Sequence, residues 1–297
     1  MNSPTLRISK HETTSPAGPV ETWLQLPCDT AVGLGSVRAD AADMFAGAGL
    51  RRLDDFLEVP GEPLMKPGLG SRYRARLRFA TGNTPVFVYL KRFGVEKLAD
   101  RWRRRWEHGL WMTPGEHESR IATTLHRAGI SVPAPLAWGW QDRQGVRYSF
   151  VVLESVPGEP AQDWVAKLPA SNALENWEQK RVLIERLAEL ARRFHGLGFC
   201  HRDFYLNHVF VTKVGRELLL SLIDLQRIFQ PRWRAQRWRI KDLAQLNYSA
   251  TGALFSRTMR LRFAYHYFGV RHLSRDQKRL LQHIIRKTRS IVRRHRQ

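Results

Sequence analysis

His201-Arg202-Asp203-Phe204-Tyr205-Leu206-Asn207-His208 is the stretch on which the reading of this chain turns, because it is a short loop with periodic sequence on both sides. Before it, from Glu178 to His195, the apolar positions Leu183, Leu187, Leu190 and Phe194 fall on one helical face, and Gly196 and Gly198 supply the stop. After it, Val209 to Thr212 and Leu218 to Ile223 are short apolar runs about a turn at Gly215, which predict two brief strands. The second run closes on Leu222-Ile223-Asp224, so the loop and the strand end each carry a carboxylate, Asp203 and Asp224.

Upstream, Tyr73 to Phe79 alternates basic with smaller or apolar residues, Pro85 to Phe93 is β-branched and aromatic, and Thr81-Gly82-Asn83 between them predicts a hairpin. Val86-Phe87-Val88-Tyr89-Leu90-Lys91 ends that strand pattern on a lysine. Residues 113–127 read as a helix with Ile121 and Leu125 at i, i+4, closed by Gly129 and followed by Pro133 and Pro135. Tyr148 to Leu153 is an apolar strand running into Glu154. A helical pattern from Arg38 to Leu57 is interrupted by Gly47 and Gly49, residues 1–20 read as a tail without sustained period, and beyond Pro231 the pattern is helical and basic to the end.

The chain has 297 residues, 43% hydrophobic and 26% charged, an ordinary globular balance with room for two lobes. No window approaches the ~18 apolar residues of a membrane-spanning helix, and the N-terminus lacks the continuous apolar stretch of a signal peptide. Cys28 and Cys200 alone do not build a disulfide framework or a structural zinc site, and a reducing cytosol fits. Net charge is +22 and unevenly placed: residues 1–60 hold 5 basic and 8 acidic side chains, whereas residues 225–297 hold 19 Lys or Arg against Asp242 and Asp276. A cationic C-terminal quarter favours polyanions, and on charge alone nucleic acid, acidic lipid headgroups and phosphorylated glycolipid stay open.

Phosphoryl transfer to a hydroxyl needs a carboxylate to orient the hydroxyl and take its proton, and otherwise positioning and positive charge. Asp203 suits the base. Asp224, at a strand end downstream, suits a magnesium ligand, since that ion shares itself among one or two carboxylates, nucleotide phosphates and water. Lys91 suits the ATP phosphates, Glu118 on the next helix suits a salt bridge to it, and Gly68-Leu69-Gly70 gives a shortened glycine loop. Lysine strand, glutamate helix, apolar strand ending near Glu154, catalytic loop and strand-end Asp occur in kinase order.

These segments resemble the lipopolysaccharide kinase family, bacterial enzymes that phosphorylate heptose or Kdo sugars of the inner core. The resemblance rests on His201-Arg202-Asp203 followed by Tyr205 and His208, and on Ile223-Asp224-Leu225-Gln226-Arg227; it extends through Arg232-Trp233 and Lys241-Asp242-Leu243, from about Gly68 to Tyr248. Gln226 stands where histidine is usual in that family. The resemblance implies an α+β, two-lobed protein-kinase-like fold with an antiparallel-sheet N-lobe and a mainly helical C-lobe. We divide the chain into an N-terminal extension over 1–60, an N-lobe over 61–155 and a C-lobe over 156–297, with ATP expected between the lobes.

On this reading Asp203 is catalytic; Lys91, Glu118, Gly68, Gly70 and Glu154 bind nucleotide; Asp224 and His208, which stands where protein kinases carry asparagine, face Mg2+ or its water. Asp242 is structural, a hydrogen-bond acceptor for the catalytic-loop backbone, and Cys200 is a buried residue rather than a nucleophile. The acceptor is an anionic glycolipid reached from the cytoplasmic membrane surface, the protein being cytoplasmic and peripheral, and nucleic acid is not the partner. From Lys97 to Trp111 arginines interleave with Trp102, Trp106 and Trp111, a face read as solvated or membrane-facing. Two other readings stay open: a kinase for a protein or small-molecule acceptor, and a non-catalytic basic binding module.

Overall fold

The computed structural model describes residues 21–28, 32–64, 72–81, 84–95, 98–99, 102, 105, 111–168 and 173–295. Gly68 and Gly70, the Gly82-Asn83 turn, the tail and most of Lys97 to Trp111 lie outside them. The chain divides into two compact units, 1–128 with 133–155, and 129–132 with 156–297.

The first unit is built on a seven-stranded antiparallel sheet ordered β1-β2-β6-β7-β5-β4-β3. Its strands are β1 (Trp23–Gln25), β2 (Gly33–Arg38), β3 (Glu62–Pro63), β4 (Arg72–Thr81), β5 (Thr84–Phe93), β6 (Pro135–Arg143) and β7 (Val146–Glu154). The expected hairpin is β4–β5, in register from Arg72↔Phe93 to Thr81↔Thr84. Strand alternation sorts the faces: Leu77, Phe79, Val88, Leu90, Phe150 and Val152 pack with Phe45 of α1 (Ala39–Gly47) and with Leu53 and Phe56 of α2 (Leu53–Glu58). Phe56 stacks on Phe150 with centroids 4.9 Å apart. The opposite face carries Phe93, Val151 and Leu153, and therefore also Lys91. A third helix, α3 (Pro114–Arg127), packs against β6 and β7.

Residues 38–57 hold two helices rather than one, because Gly49 takes φ +82 and turns the chain between α1 and α2. Residues 23–38 were not read as strands, yet β1 and β2 extend the sheet beyond β6 through pairs such as Ser36↔Trp138.

The second unit is mainly helical: α4 (Ala161–Ala166), α5 (Ala173–Gly196), α6 (Ala235–Ser249), α7 (Arg257–Phe268) and α8 (Arg275–His295). A three-stranded sheet joins β10 (Glu217–Leu222), β9 (Val209–Val214) and β8 (Glu159–Pro160). The apolar stripe of α5 is buried at Leu183, Leu187, Leu190 and Phe194, each worth about 1.5–3 kcal/mol of transfer free energy. Helix α5 packs on α7, and α6 packs on α8, where Leu243 and Ala244 meet Ile284 and Ile291. Ile284 and Ile291 lie two turns apart on α8, leaving its Lys and Arg residues the other faces.

Candidate active site

In the first unit, two local devices bring Lys91 and Glu118 together. Helix α3 starts with Thr113 as N-cap, whose side chain accepts from the Glu116 amide, and Pro114 follows at a position where no N–H is needed. Gly115 then lets the helix lie directly on β7, since a Cβ there would collide with the Phe150 carbonyl. One turn further along, Glu118 is fully buried and its Oε1 accepts from Lys91 Nζ at 2.5 Å. The second carboxylate oxygen of Glu118 is buried with no hydrogen-bond partner among the described residues. Burying an ion pair is costly, and it is kept where fixing a charge matters more than stability alone. At the end of β7, the Glu154 amide donates to Ala134 O and its carboxylate receives Arg38 at 2.5 Å.

In the second unit the loop from His201 to His208 is held almost entirely through its own backbone. Asp242 of α6, fully buried, accepts from the amides of His201 at 2.7 Å and Arg202 at 2.8 Å. Gln245 accepts from the Phe204 amide at 3.2 Å, and Ser249 Oγ from the Leu206 amide at 2.9 Å. Positions 242, 245 and 249 share one face of α6, so a single polar stripe satisfies four loop amides. Of these three acceptors, only Asp242 was read from sequence. Its partners were legible in principle, because polar residues at i, i+3 and i+7 on a face otherwise bound for the core need donors.

Arg202 has φ +73 and Asp224 φ +58, left-handed conformations that cost a non-glycine residue on the order of 1–3 kcal/mol when the environment must impose them. At Arg202 the environment is visible: its carbonyl accepts from Lys241 Nζ at 2.6 Å, and its guanidinium lies over the rings of Phe229 and Trp238. Burial pushes the Lys241 ammonium below its ordinary pKa. His201 is fully buried, and burial lowers its pKa, so the ring is neutral and donates Nε2–H to the Ile223 carbonyl at 3.0 Å. That bond ties the loop to the residue before Asp224.

Asp203 is thereby presented on a fixed backbone. Arg227 Nη1 donates to both of its oxygens, at 2.9 and 2.8 Å, while the Asp203 carbonyl accepts from His208 Nδ1 at 2.7 Å. Since a carbonyl only accepts, His208 Nδ1 is the donor in this bond. Arg227 belonged to the sequence pattern but its contact with Asp203 was not anticipated. Among the described residues no three His, Cys, Asp or Glu side chains cluster as a metal site. A magnesium–nucleotide complex does not demand such a cluster, and the single carboxylate of Asp224 fits that donor requirement. Cys200 is fully buried and its thiol is pushed up to about 12 by burial, the behaviour of a packing residue.

Comparison with known proteins gives the family and the fold. The chain is 32% identical over 183 residues to the lipopolysaccharide core heptose(I) kinase WaaP of Pseudomonas aeruginosa, covering 57% of this chain and 66% of that one. It is 30% identical over 134 residues to a 3-deoxy-D-manno-octulosonic acid kinase of Actinobacillus succinogenes, covering 44% and 51%. The chain thus spans about half to two-thirds of the length of these curated relatives. A solved structure of WaaP in complex with acyl carrier protein superposes with TM-score 0.64 at 23% identity, covering 86% of this chain and 98% of that one. It shows the fold to be the expected α+β protein-kinase-like one, an antiparallel-sheet unit and a mainly helical unit. Residues 71–267 match the lipopolysaccharide kinase (Kdo/WaaP) family, and the chain belongs to it.

Proposed function

We propose that this chain transfers the γ-phosphoryl group of ATP to a sugar hydroxyl, of heptose or Kdo type, on the inner core of lipopolysaccharide or a related anionic glycolipid. The observation that carries the proposal is Asp203: an ionisable side chain one-fifth exposed, on a loop whose amides are anchored to α6, with Arg227 holding both oxygens. A carboxylate so oriented aligns an acceptor hydroxyl and takes its proton as the oxygen–phosphorus bond forms and the bond from Pγ to the bridging oxygen breaks, releasing ADP. Arg227 keeps the base aimed until the hydroxyl arrives.

Lys91, held straight by Glu118, binds the α- and β-phosphates, and Gly68, Gly70 and Glu154 complete the nucleotide contacts. Asp224 would hold Mg2+, with His208 beside it, and the ion would neutralise the phosphate charge. Family membership supports these roles, and the Lys91–Glu118 pair supports that of Lys91.

The setting fits a membrane-borne acceptor. Among the described residues no helix is long and apolar enough to cross a membrane, while α8 turns Ile284 and Ile291 inward and exposes a run of Lys and Arg. Of the two acids between 225 and 297, Asp242 is spent on loop amides and Asp276 sits in the first turn of α8. The basic segment therefore brings few counterions of its own and suits the anionic headgroups and phosphates of a cytoplasmic leaflet. We place the protein there as a peripheral enzyme.

The test is transfer of labelled γ-phosphate from ATP to purified core glycolipid, with casein as a generic protein acceptor. Asp203→Asn, which keeps shape and removes the base, is expected to lower kcat by about 100- to 10,000-fold with the fold intact. Undiminished transfer by that variant removes the assigned base, and labelling of casein in preference to glycolipid removes the assigned acceptor.

A further inference from the structure

Strand alternation sorts the cations of the β4–β5 hairpin onto two faces. Arg92 takes one of them with its partner Tyr73: its guanidinium lies 4.8 Å from the Tyr73 ring centroid and donates to the Phe56 and Val59 carbonyls. The other face carries Lys91 of β5 and, along β4, Arg74, Arg76 and Arg78, in the directly opposed pairs Arg74↔Lys91, Arg76↔Tyr89 and Arg78↔Phe87. Side-chain contacts agree with this sorting, since the Arg76 guanidinium lies 4.9 Å from the Phe87 ring centroid.

Exposure grows along the row: Lys91 is buried, Arg74 and Arg76 are half-buried, and Arg78 is exposed. Directly opposed residues of an antiparallel pair have Cβ atoms about 4.5–5.5 Å apart, and diagonal ones about 7–8 Å. Arg74 is therefore the β4 cation beside Lys91, with Arg76 one step and Arg78 two steps farther out. Arg76 is also held in place, because Glu62 Oε2 accepts from its Nε at 2.9 Å and its Nη2 at 2.6 Å.

Two features give that position a use. Lys91 is paired with Glu118, and an ammonium so neutralised orients a phosphate more than it attracts one; with Arg74 across the strand, the three side chains carry a net positive charge. A guanidinium edge also gives two parallel N–H groups to two oxygens, which an ammonium does not. The second feature is the sequence just before β4. Kinases cover the phosphates with a G-x-G-x-x-G loop, whereas here Gly68 and Gly70 supply the first two glycines and Tyr73 stands at the third. Arg74 follows at once, so a charged side chain enters where the glycine pattern stops.

We propose that Arg74 is a second phosphate-binding cation of the nucleotide site, giving one guanidinium edge to oxygens of the bound di- or triphosphate from β4 while Lys91 reaches it from β5. The inference rests on the kinase reading and deepens it. Two like charges set directly opposite each other disfavour the sheet, and a polyphosphate lodged against both turns that arrangement into a binding site.

Calorimetric titration of the full chain with ATP, ADP and adenosine, in Mg2+ and without acceptor, tests the contact apart from catalysis. Arg74→Gln is expected to weaken ATP about 10- to 100-fold, the loss of a charge-assisted contact, and to leave adenosine unchanged. A loss shared by ADP assigns the contact to the α- or β-phosphate, and a loss confined to ATP assigns it to the γ-phosphate. Arg74→Lys, which keeps the charge without the paired edge, should lose less, about 3- to 10-fold. Arg78→Gln removes the same charge two steps along the row and should bind ATP as wild type does.

Wild-type ATP affinity in Arg74→Gln overturns the proposal, and so do equal losses for ATP and adenosine, which a merely structural residue gives, or an equal loss in Arg78→Gln, which bulk surface charge gives. Where Arg74→Gln fails to fold, Arg74→Lys decides, and wild-type ATP affinity in it overturns the proposal. The kinase reading survives each of these results as long as wild type binds ATP. A wild type that binds neither ATP nor ADP removes that reading and the role of Arg74 together.

Discussion

Replacing Asp242 is the sharpest perturbation of the loop that does not touch the reacting groups. Its buried carboxylate accepts from two amides, His201 at 2.7 Å and Arg202 at 2.8 Å, with His195 Nε2 a longer 3.4 Å away. In Asp242→Ala both amides stay buried and lose their acceptor, at about 1–3 kcal/mol each, for a loss of about 2–6 kcal/mol. Set against the ~5–15 kcal/mol that holds a domain together, that is a large share. Asp242→Asn keeps one acceptor oxygen and turns an NH2 toward the other amide, so it should lose about half as much. Ser249→Ala removes one neutral bond, to the Leu206 amide, and should cost about 1 kcal/mol.

The ranking, with Asp242→Ala worst, Asp242→Asn intermediate and Ser249→Ala mildest, is read by urea unfolding at constant m-value, with amide hydrogen exchange at 201 and 202 reporting the loop itself. Because a displacement of ~1 Å at a reacting group costs about 100-fold in rate, Asp242→Asn should also lower kcat while leaving nucleotide affinity alone. If Asp242→Ala stays within about 0.5 kcal/mol of wild type, the amides have other partners and the account of a loop hung from α6 is wrong; surface-like changes of that size are what uninvolved positions give.

Two further expectations follow from buried groups. Lys91→Met leaves Glu118 buried opposite an apolar group and should cost about 3–5 kcal/mol, whereas Lys91→Met with Glu118→Leu should recover most of that while remaining inactive; a double variant no more stable than the single removes the pair from the fold's energetics. Above about pH 9 stability should fall, because burial raises Cys200 from 9.0 and Tyr267 from 10.0, each to about 12. The unfolded chain ionises these groups first, so this stability is full below the unfolded values and is lost as pH rises toward 12. Cys200→Ala with Tyr267→Phe should flatten the alkaline limb of a thermal-melt series, and an unchanged limb assigns it to other groups.

How much of this was legible in the sequence depended on whether a feature is local. The β4–β5 hairpin, the stripe of α5 and a helix close to 113–127 are fixed by neighbours within a turn or a strand, and the sequence showed them. Lys91 and Glu118 were matched at a separation of 27 residues because the order of strand and helix constrained them. Strand β6 was missed, since it begins on Pro135 and Trp138-Gly139-Trp140 offers no clean alternation of apolar and polar residues. Strands β1 and β2 were missed for a different reason: their pairing with β6 spans about a hundred residues, and a short run such as Gly33 to Arg38 carries little strand signal of its own.

The site divides along the same line. The residues we assign to chemistry stand out as unusual side chains in loops, as Asp203, His208 and Asp224 do, because no packing argument accounts for them there. Residues that hold those loops sit inside helices and look like ordinary polar positions until their partners are known. Gln245 and Ser249 are of this kind, and so is Arg227, exposed by nearly half and indistinguishable in sequence from the many other arginines of a basic chain until its Nη1 is seen on both oxygens of Asp203. In a protein this rich in arginine, composition hides which cations hold the site together, and geometry picks out Arg227 on Asp203, Arg38 on Glu154 and Arg202 over Phe229 and Trp238.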